Sequence, residues 1–179
     1  MLWQAVGFAE SDALLINIIS GGVSILACLI TMKFIDKLGR KPFLLIGSVG
    51  MSVCLAVMVA TFLNASVDSS GNLDLGTSGA LTLIAANAYV FFFNLSWGPV
   101  MWVMLGEMFP NNIRGSGLAV SGLAQWGSNF LITISFPVLL TTIGLAGAYG
   151  LYLLGAVISI VFVAVMVRET KGIELEQMK

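Results

Sequence analysis

The residues best suited to chemistry lie in one stretch, residues 97–114, which reads WGPVMWVMLGEMFPNNIR. Two tryptophans, Trp97 and Trp102, stand on either side of a Gly-Pro pair, and Glu107 closes the otherwise apolar run. Aromatic rings can stack on the apolar face of a ligand, and a proline interrupts a helix. Together these residue types favour a pathway for a solute, provided that the surrounding elements cross a membrane.

The composition of the chain predicts a membrane protein. Of 179 residues, 58% are hydrophobic and 9% are charged, and the mean hydropathy is +1.00; soluble domains are about a quarter charged. The net charge of -1 gives no indication of nucleic-acid binding. The chain has no histidine, and Cys28 and Cys54 fall inside apolar runs. We therefore expect neither a metal site nor a cofactor, and no enzyme, because no nucleophile–base pair is apparent.

Five apolar runs are long enough to cross a bilayer, which takes about 20 residues. They are residues 13–32, 43–64, 80–106, 115–140 and 147–167. Lys and Arg concentrate in the connections 33–42 and 107–114 and in the tail 168–179, and are lacking in 65–79 and 141–146. By the positive-inside rule the basic segments are cytoplasmic. The sequence thus predicts an all-α polytopic protein with a cytoplasmic C-terminus, and an external start that implies a preceding helix.

Three of the five spans carry polar or small residues at helical spacing, which places each set on one face of its helix. The sets are Asn17, Ser20, Gly21, Ser24, Cys28 and Thr31 in the first span, Asn87, Phe91, Asn94, Gly98 and Trp102 in the third, and Ser121, Gln125, Ser128, Asn129 and Thr133 in the fourth. We expect these three spans to line a polar interior and the apolar second and fifth spans to face lipid. Close helix packing is the alternative for the hydroxyl and glycine positions, and interhelical hydrogen bonds are the alternative for the amides.

The Gly98-Pro99 pair interrupts the third span, because proline lacks the N–H that the helix needs and clashes with the preceding turn. Either a static kink or a hinge would result, and we favour the hinge. Phe136-Pro137 predicts a second, more peripheral break in the fourth span. Trp102 in the third span, and Trp126 beside Gln125 in the fourth, combine aromatic faces with an amide, as a sugar site requires. An amino acid or nucleoside site would look similar, although a charged substrate would usually need a counter-charge within the spans.

Charged residues gather at the predicted cytoplasmic helix ends. They are Asp36, Arg40, Glu107, Arg114 and Glu169. These positions are either ordinary topology charges or an ion-pair latch that holds the helix ends together in one conformation.

Four stretches, in order, resemble the C-terminal half of sugar porters of the major facilitator superfamily, especially bacterial ones. They are Asp36-Lys-Leu-Gly-Arg40-Lys41-Pro42; Trp97-Gly98-Pro99-x-x-Trp102 through Glu107-x-Phe109-Pro110-x-x-x-Arg114; Gln125-Trp126-x-x-Asn129-Phe130 with Phe136-Pro137; and Glu169-Thr170-Lys171-Gly172-x-x-Leu175-Glu176. The first pattern is common across the superfamily, whereas the four together are specific.

The resemblance implies that residues 1–179 are part of a C-terminal six-helix bundle, with the eighth to twelfth of twelve helices and a cytoplasmic tail 168–179 in the cell membrane. It implies alternating-access transport of a monosaccharide or related polyol. It places sugar contacts at Asn94, Trp102, Gln125 and Trp126, with Asn129 as a looser candidate and Ser24 as a weaker contact where the family often has Asn. It also implies that Asp36, Arg40, Glu107, Arg114 and Glu169 form a network that stabilises the outward-facing state.

The same resemblance implies that the N-terminal half of the transporter is a partner missing from this chain, and that any proton-coupling carboxylate for symport lies there. Two other functions remain open at this point. One is a non-transporting membrane fragment or interaction protein, and the other is transport of another neutral solute.

Overall fold

Five helices and one short strand pair make up the computed structural model, which describes residues 10–67, 73–74 and 78–169. The elements are α1 (Glu10–Leu38), α2 (Arg40–Leu63), β1 (Ser66–Val67), β2 (Leu73–Asp74), α3 (Gly79–Leu95), α4 (Trp97–Met108) and α5 (Arg114–Met166). The two strands pair antiparallel and close the connection between α2 and α3. Within these described residues, four stretches are long and apolar enough to cross a membrane: Leu15–Leu38, Arg40–Leu63, Gly79–Met108 and Arg114–Met166.

Within the predicted connection 33–42, α1 and α2 occupy every residue except Gly39, so the turn between the two helices is made at that one residue. Gly39 has a φ of 93°, a conformation that favours glycine since it has no Cβ. The charged residues on either side of Gly39 are helical, so both helices continue past the ends of the apolar runs. The third predicted span, 80–106, is divided at Ser96 into α3 and α4.

Helix α5 joins the fourth and fifth predicted spans and doubles back on itself. Gly144, with a φ of 71° and a ψ of 177°, is the residue inside it that departs from helical geometry. The rings of Phe136 and Tyr152 stack with their centroids 6.4 Å apart, whereas 16 residues of straight helix would separate them by about 24 Å. The predicted connection 141–146 is therefore reduced to a bend at one glycine. The predicted break at Phe136-Pro137 is wrong, because Pro137 lies within helical backbone.

Helix α2 lies at the centre of the packing. One buried cluster joins it to α1, α3, α4 and the end of α5 around Leu44, Leu95, Val100 and Val163. A second cluster around Met58, Phe62, Ala85 and Leu145 joins α2 to α3 and to the bend of α5. The prediction that this second span faces lipid stays a prediction for its exposed face, which carries Ile46, Val49 and Val53. The other face is buried because Gly47 and Gly50 admit α3 at short range: an added Cβ would meet Ser96 at 1.6 Å and the Phe92 ring at 2.4 Å.

The first half of α5 is the most exposed part of the bundle. Leu123, Trp126 and Phe130 are 76%, 69% and 64% exposed, and their spacing of three or four residues places them on one face. A face with this much apolar and aromatic surface needs a lipid or protein neighbour.

Candidate functional site

The polar stripes of α1 and α3 face each other. Ser20 Oγ donates to Asn87 Oδ1 at 2.8 Å, and Asn94 Nδ2 donates to Ser24 Oγ at 3.2 Å and to Val90 O at 2.9 Å. Ser24 and Asn94, both predicted from the sequence as substrate contacts, are thus brought together. The interhelical hydrogen bond that the sequence left open for Asn94 is present. A sugar bound at this pair would hydrogen-bond to the amide oxygen of Asn94 or would replace the hydrogen bond between Asn94 and Ser24.

The helix break predicted at Gly98-Pro99 occurs slightly earlier, at Ser96. This residue has a φ of -126° and a ψ of -83° and lies between the last residue of α3 and the first of α4. Pro99 then falls in the first turn of α4, where its missing N–H removes no bond within that helix. The proline therefore lies in the first turn of α4, and the break at Ser96 precedes it.

Trp97 lies in the helix packing and does not pair with Trp102 in an aromatic site. Its Nε1 donates to Ser48 Oγ at 2.9 Å, and Ser159 Oγ lies 3.0 Å from the same oxygen. Ser48 is fully buried. Trp97 thereby links α2, α4 and the second half of α5, and it also lines the groove that contains Gln125. Spacing did not identify Ser48 or Ser159, since serines are also common in helix packing.

Trp102 and Trp126 supply aromatic surface from α4 and α5. Trp102 is 37% exposed and packs on the backbone of α5 at Gly122, where an added Cβ would lie 3.6 Å from its ring. Trp126 and Asn129 are exposed on α5. A partly exposed indole that packs against a neighbouring helix can stack on a ring-shaped solute.

Gln125 carries the polar group with the clearest need of a partner. Its Oε1 is buried and accepts no hydrogen bond within the described part of the chain. The side chain lines a groove of about 770 Å³ between α4 and the two ends of α5, with Met101, Ser121 and Ser128 among the other lining residues. An unpaired buried amide oxygen costs about 1–3 kcal/mol. A hydroxyl donor entering this groove would remove that cost.

A charge cluster joins the ends of α1, α2, α4 and α5. Arg40 binds Glu107 through two atom pairs, Nη2–Oε1 at 2.6 Å and Nε–Oε2 at 3.1 Å. Asp36 Oδ1 lies 3.0 Å from the same guanidinium. The Arg40 side chain is 11% exposed and that of Glu107 is 27% exposed, whereas that of Asp36 is 78% exposed. The Arg40–Glu107 pair is therefore a partly buried, bidentate contact of the stronger kind.

Glu169 completes this cluster by capping α2. Its two carboxylate oxygens accept the backbone N–H groups of Arg40 and Lys41 at 2.9 and 3.0 Å. These N–H groups have no partner inside the helix, and the helix dipole favours a negative charge there. Lys41 Nζ donates to Ala164 O at 2.9 Å near the end of α5. Sequence reasoning missed Lys41, although its place beside Arg40 in the basic segment was the available signal.

Arg114 differs from the other four predicted members of the cluster. Its Nε donates to Phe109 O at 3.3 Å, and within the described residues its Nη2 is buried without a hydrogen-bond partner. The structure thus brings together four of the five predicted residues, Asp36, Arg40, Glu107 and Glu169. Arg114 instead stabilises the turn after α4. The rest of the predicted C-terminal pattern, from Thr170 to Glu176, lies outside the described residues.

Comparison with known proteins shows that the chain is similar to sugar transporters. The family model "Sugar (and other) transporter" matches residues 1–179. A glucose transport protein of Synechocystis sp. is 49% identical over 178 residues, which are 99% of this chain and 38% of that protein. A D-xylose transporter of Levilactobacillus brevis is 37% identical over 99% of this chain and 37% of its own length.

Among solved structures, the chain is likewise similar to a sugar transporter. The proton:xylose symporter XylE, a protein of the major facilitator superfamily solved with 6-bromo-6-deoxy-D-glucose bound, superposes with a TM-score of 0.81 at 32% identity. The match covers 97% of this chain and 35% of that structure. The chain thus spans less than two fifths of the length of the relatives it matches.

Proposed function

This chain belongs to the sugar (and other) transporter family, and we propose that it forms the C-terminal part of a complete transporter that moves a monosaccharide or related polyol by alternating access. The members named above are transporters and not enzymes. The alternating-access mechanism needs two halves that move against each other. The N-terminal half of the complete protein is therefore the partner that this chain requires.

We propose five membrane spans, equivalent to the eighth to twelfth helices of a twelve-helix transporter. The reversal of α5 at Gly144 supports this count, because its 53 residues would be about 80 Å long if straight, against a hydrocarbon thickness of about 30 Å. The contacts of Arg40 with Glu107 and Glu169 place the basic connection, the end of α4 and the end of α5 on one side. Under the positive-inside rule that side is the cytoplasm, with the C-terminus there and the protein in the cell membrane.

The proposed sugar contacts are the side chains on α4 and α5 that have open faces or unpaired polar atoms. Trp102 and Trp126 offer rings for stacking on a pyranose, and Gln125 and Asn129 offer amides for its hydroxyls. Asn94 and Ser24 lie one helix further away and already bond to each other. We assign them to the edge of the site. The unpaired Oε1 is the single observation that carries the assignment of Gln125, whose groove is lined by Trp97 and not by Trp102, Trp126 or Asn129.

The proposed conformational machinery has two parts. The break beside Gly98 and Pro99 acts as the hinge between α3 and α4. The cluster of Asp36, Arg40, Glu107 and Glu169 acts as a latch in the outward-facing state, and Arg114 supports the turn beside it. No cofactor is required in this proposal, and a carboxylate that couples protons, if transport is symport, belongs to the N-terminal half.

Sugar uptake by cells that express the complete transporter tests this function. Saturable uptake of a labelled hexose or pentose is expected when this chain is joined to or co-expressed with its N-terminal half. Trp102→Ala should reduce uptake strongly, while Leu151→Ala, at an exposed position on the second half of α5, should leave uptake unchanged. Absence of uptake from the complete protein, together with no effect of Trp102→Ala on any solute flux, would leave a non-transporting membrane role as the better account.

A further inference from the structure

The break between α3 and α4 leaves four consecutive carbonyl groups without their ordinary helical donors. In a continuous helix the oxygens of residues 92–95 would accept from the N–H groups of residues 96–99. Here Ser96 supplies donors to the first two of these carbonyls. Its Oγ donates to Phe92 O at 2.7 Å and its N–H donates to Phe93 O at 3.2 Å. Regular bonding resumes at Val100, whose N–H donates to Ser96 O at 2.9 Å. The carbonyls of Asn94 and Leu95 remain to be satisfied.

Helix α1 supplies both missing donors. Thr31 Oγ1 lies 2.6 Å from Leu95 O, and Cys28 Sγ lies 3.7 Å from Asn94 O. The Leu95 carbonyl is the one that Pro99 can never satisfy, because proline has no N–H. Thr31 also lies 3.0 Å from Ala27 O in its own helix, so its hydroxyl has a local acceptor to which it can turn.

Helix α2 also packs against the break between α3 and α4. Thr31 is 1% exposed and Ser96 is fully buried, so water has little access to the carbonyls of the break. Gly47 lies directly against Ser96 and Gly50 against the Phe92 ring. Since a buried carbonyl without a donor is costly, the donors from α1 are the means by which a break is tolerated at this depth.

We propose that Thr31, assisted by Cys28, is a positioning residue for transport: it satisfies the end of α3 independently of α4, so that α4 can tilt at the break without losing hydrogen bonds. This inference rests on the proposed function, since it concerns the hinge of that transporter. When the hydroxyl is absent, Leu95 O has no donor at its ordinary position in α4 either, because Pro99 lacks the N–H. Helix α4 must then shift to bring another donor within reach, which favours one orientation of α4 and slows the change between orientations. The hydroxyl of Thr31 bonds to Leu95 O and Ala27 O and not to a proposed sugar residue, so we expect binding of the sugar to be unchanged.

The test compares Thr31→Val with Thr31→Ser in the complete transporter, because valine preserves the shape of threonine and serine preserves the donor. Sugar uptake is measured over a range of concentrations and normalised to the amount of folded protein in the membrane. For Thr31→Val we expect the maximal rate to fall about 3- to 10-fold, the effect of one buried hydrogen bond, with an unchanged KM. Thr31→Ser should recover most of the rate. Thr142→Val is the matched control, because Thr142 donates only to carbonyls of its own helix, those of Val138 and Leu139.

Three results would overturn the inference. They are an unchanged maximal rate in Thr31→Val, an equal loss in the serine variant, and a fall in thermal midpoint without a fall in rate per folded molecule. If Thr31→Val does not fold, Cys28→Ala replaces it, with a smaller loss of rate expected and recovery in Cys28→Ser; equal rates in those two variants and the wild type would also overturn it. Failure of the proposed function is recognised separately, because the wild-type transporter would then show no saturable sugar uptake.

Discussion

Replacing Glu107 by glutamine is the most informative perturbation of the proposed latch. The substitution keeps the size of the side chain and removes the charge that Arg40 contacts through two atom pairs, at 2.6 and 3.1 Å. Arg40 is only 11% exposed, so its guanidinium cannot be rehydrated without movement of the helix ends. The partner that remains beside it, Asp36, is 78% exposed and well solvated.

The size of the effect follows from this partial burial. Charge-assisted hydrogen bonds contribute about 1.5–3 kcal/mol each, but Glu107 retains 27% exposure, and solvent weakens the pair. We take about 1–3 kcal/mol for the whole contact. If the pair forms in only one of the two transport conformations, its loss changes their ratio by about 5- to 150-fold. The expected direction is toward the inward-facing state, because the helix ends that the pair joins lie on the side that we propose to be cytoplasmic.

The assay is the rate at which a membrane-impermeant thiol reagent labels single cysteines placed on either side of the membrane, after replacement of Cys28 by serine, which keeps its donor, and of Cys54 by alanine. In Glu107→Gln, cytoplasmic labelling should become faster and external labelling slower. Asp36→Asn is the matched control, since an exposed pair contributes only about 0–1 kcal/mol. Equal labelling of Glu107→Gln and wild type on both sides would refute the latch, and an equal change in Asp36→Asn would show that the burial argument is wrong.

Three further predictions concern the site and its scaffold. Gln125→Ala should raise the apparent KM for sugar uptake several-fold while the maximal rate changes little, and an unaltered KM would remove Gln125 from the site. Gly39→Ala should lower the thermal midpoint, because φ is 93° and the new Cβ would lie 2.6 Å from Glu169 Oε2, a strain of about 1–3 kcal/mol; Gly155→Ala, with open space around it, should cause no such loss. Ser48→Ala should also lower the midpoint because the Trp97 N–H loses its acceptor, at about 1–3 kcal/mol, whereas equal stability would show that Trp97 finds another partner.

The sequence allowed the class of fold and the charge cluster to be predicted because both depend on coarse, local signals. Apolar length and the positions of Lys and Arg define spans and their connections. Glu107 and Arg40 could be joined because they sit at span ends on the same predicted side. The partners of Glu169 could not be predicted in detail, since they are backbone N–H groups, which every residue carries.

The details of packing were less accessible to sequence reasoning. Helical spacing shows which residues share a face and does not show what that face contacts, so the stripe of α1 was expected at a cavity and instead bonds to α3. The aromatic character of Trp97 suggested a site, but its N–H is fixed by Ser48, which lies 49 residues away in sequence. The reversal of α5 falls within the predicted connection 141–146, whose one glycine is Gly144, but the sequence did not show that a single residue would make it.

Protection of α5 by substrate tests the central claim most directly, since that claim places the transported sugar against Trp102, Gln125 and Trp126. A cysteine introduced at Asn129, in the complete transporter without Cys28 and Cys54, is labelled with a small thiol reagent with and without excess sugar. A cysteine at Leu151, which is exposed on the second half of α5, serves as the control. The account predicts slower labelling at position 129 in the presence of a transported hexose or pentose, and no change at 151. Equal labelling at 129 with and without sugar, in a protein that still transports it, would contradict the account.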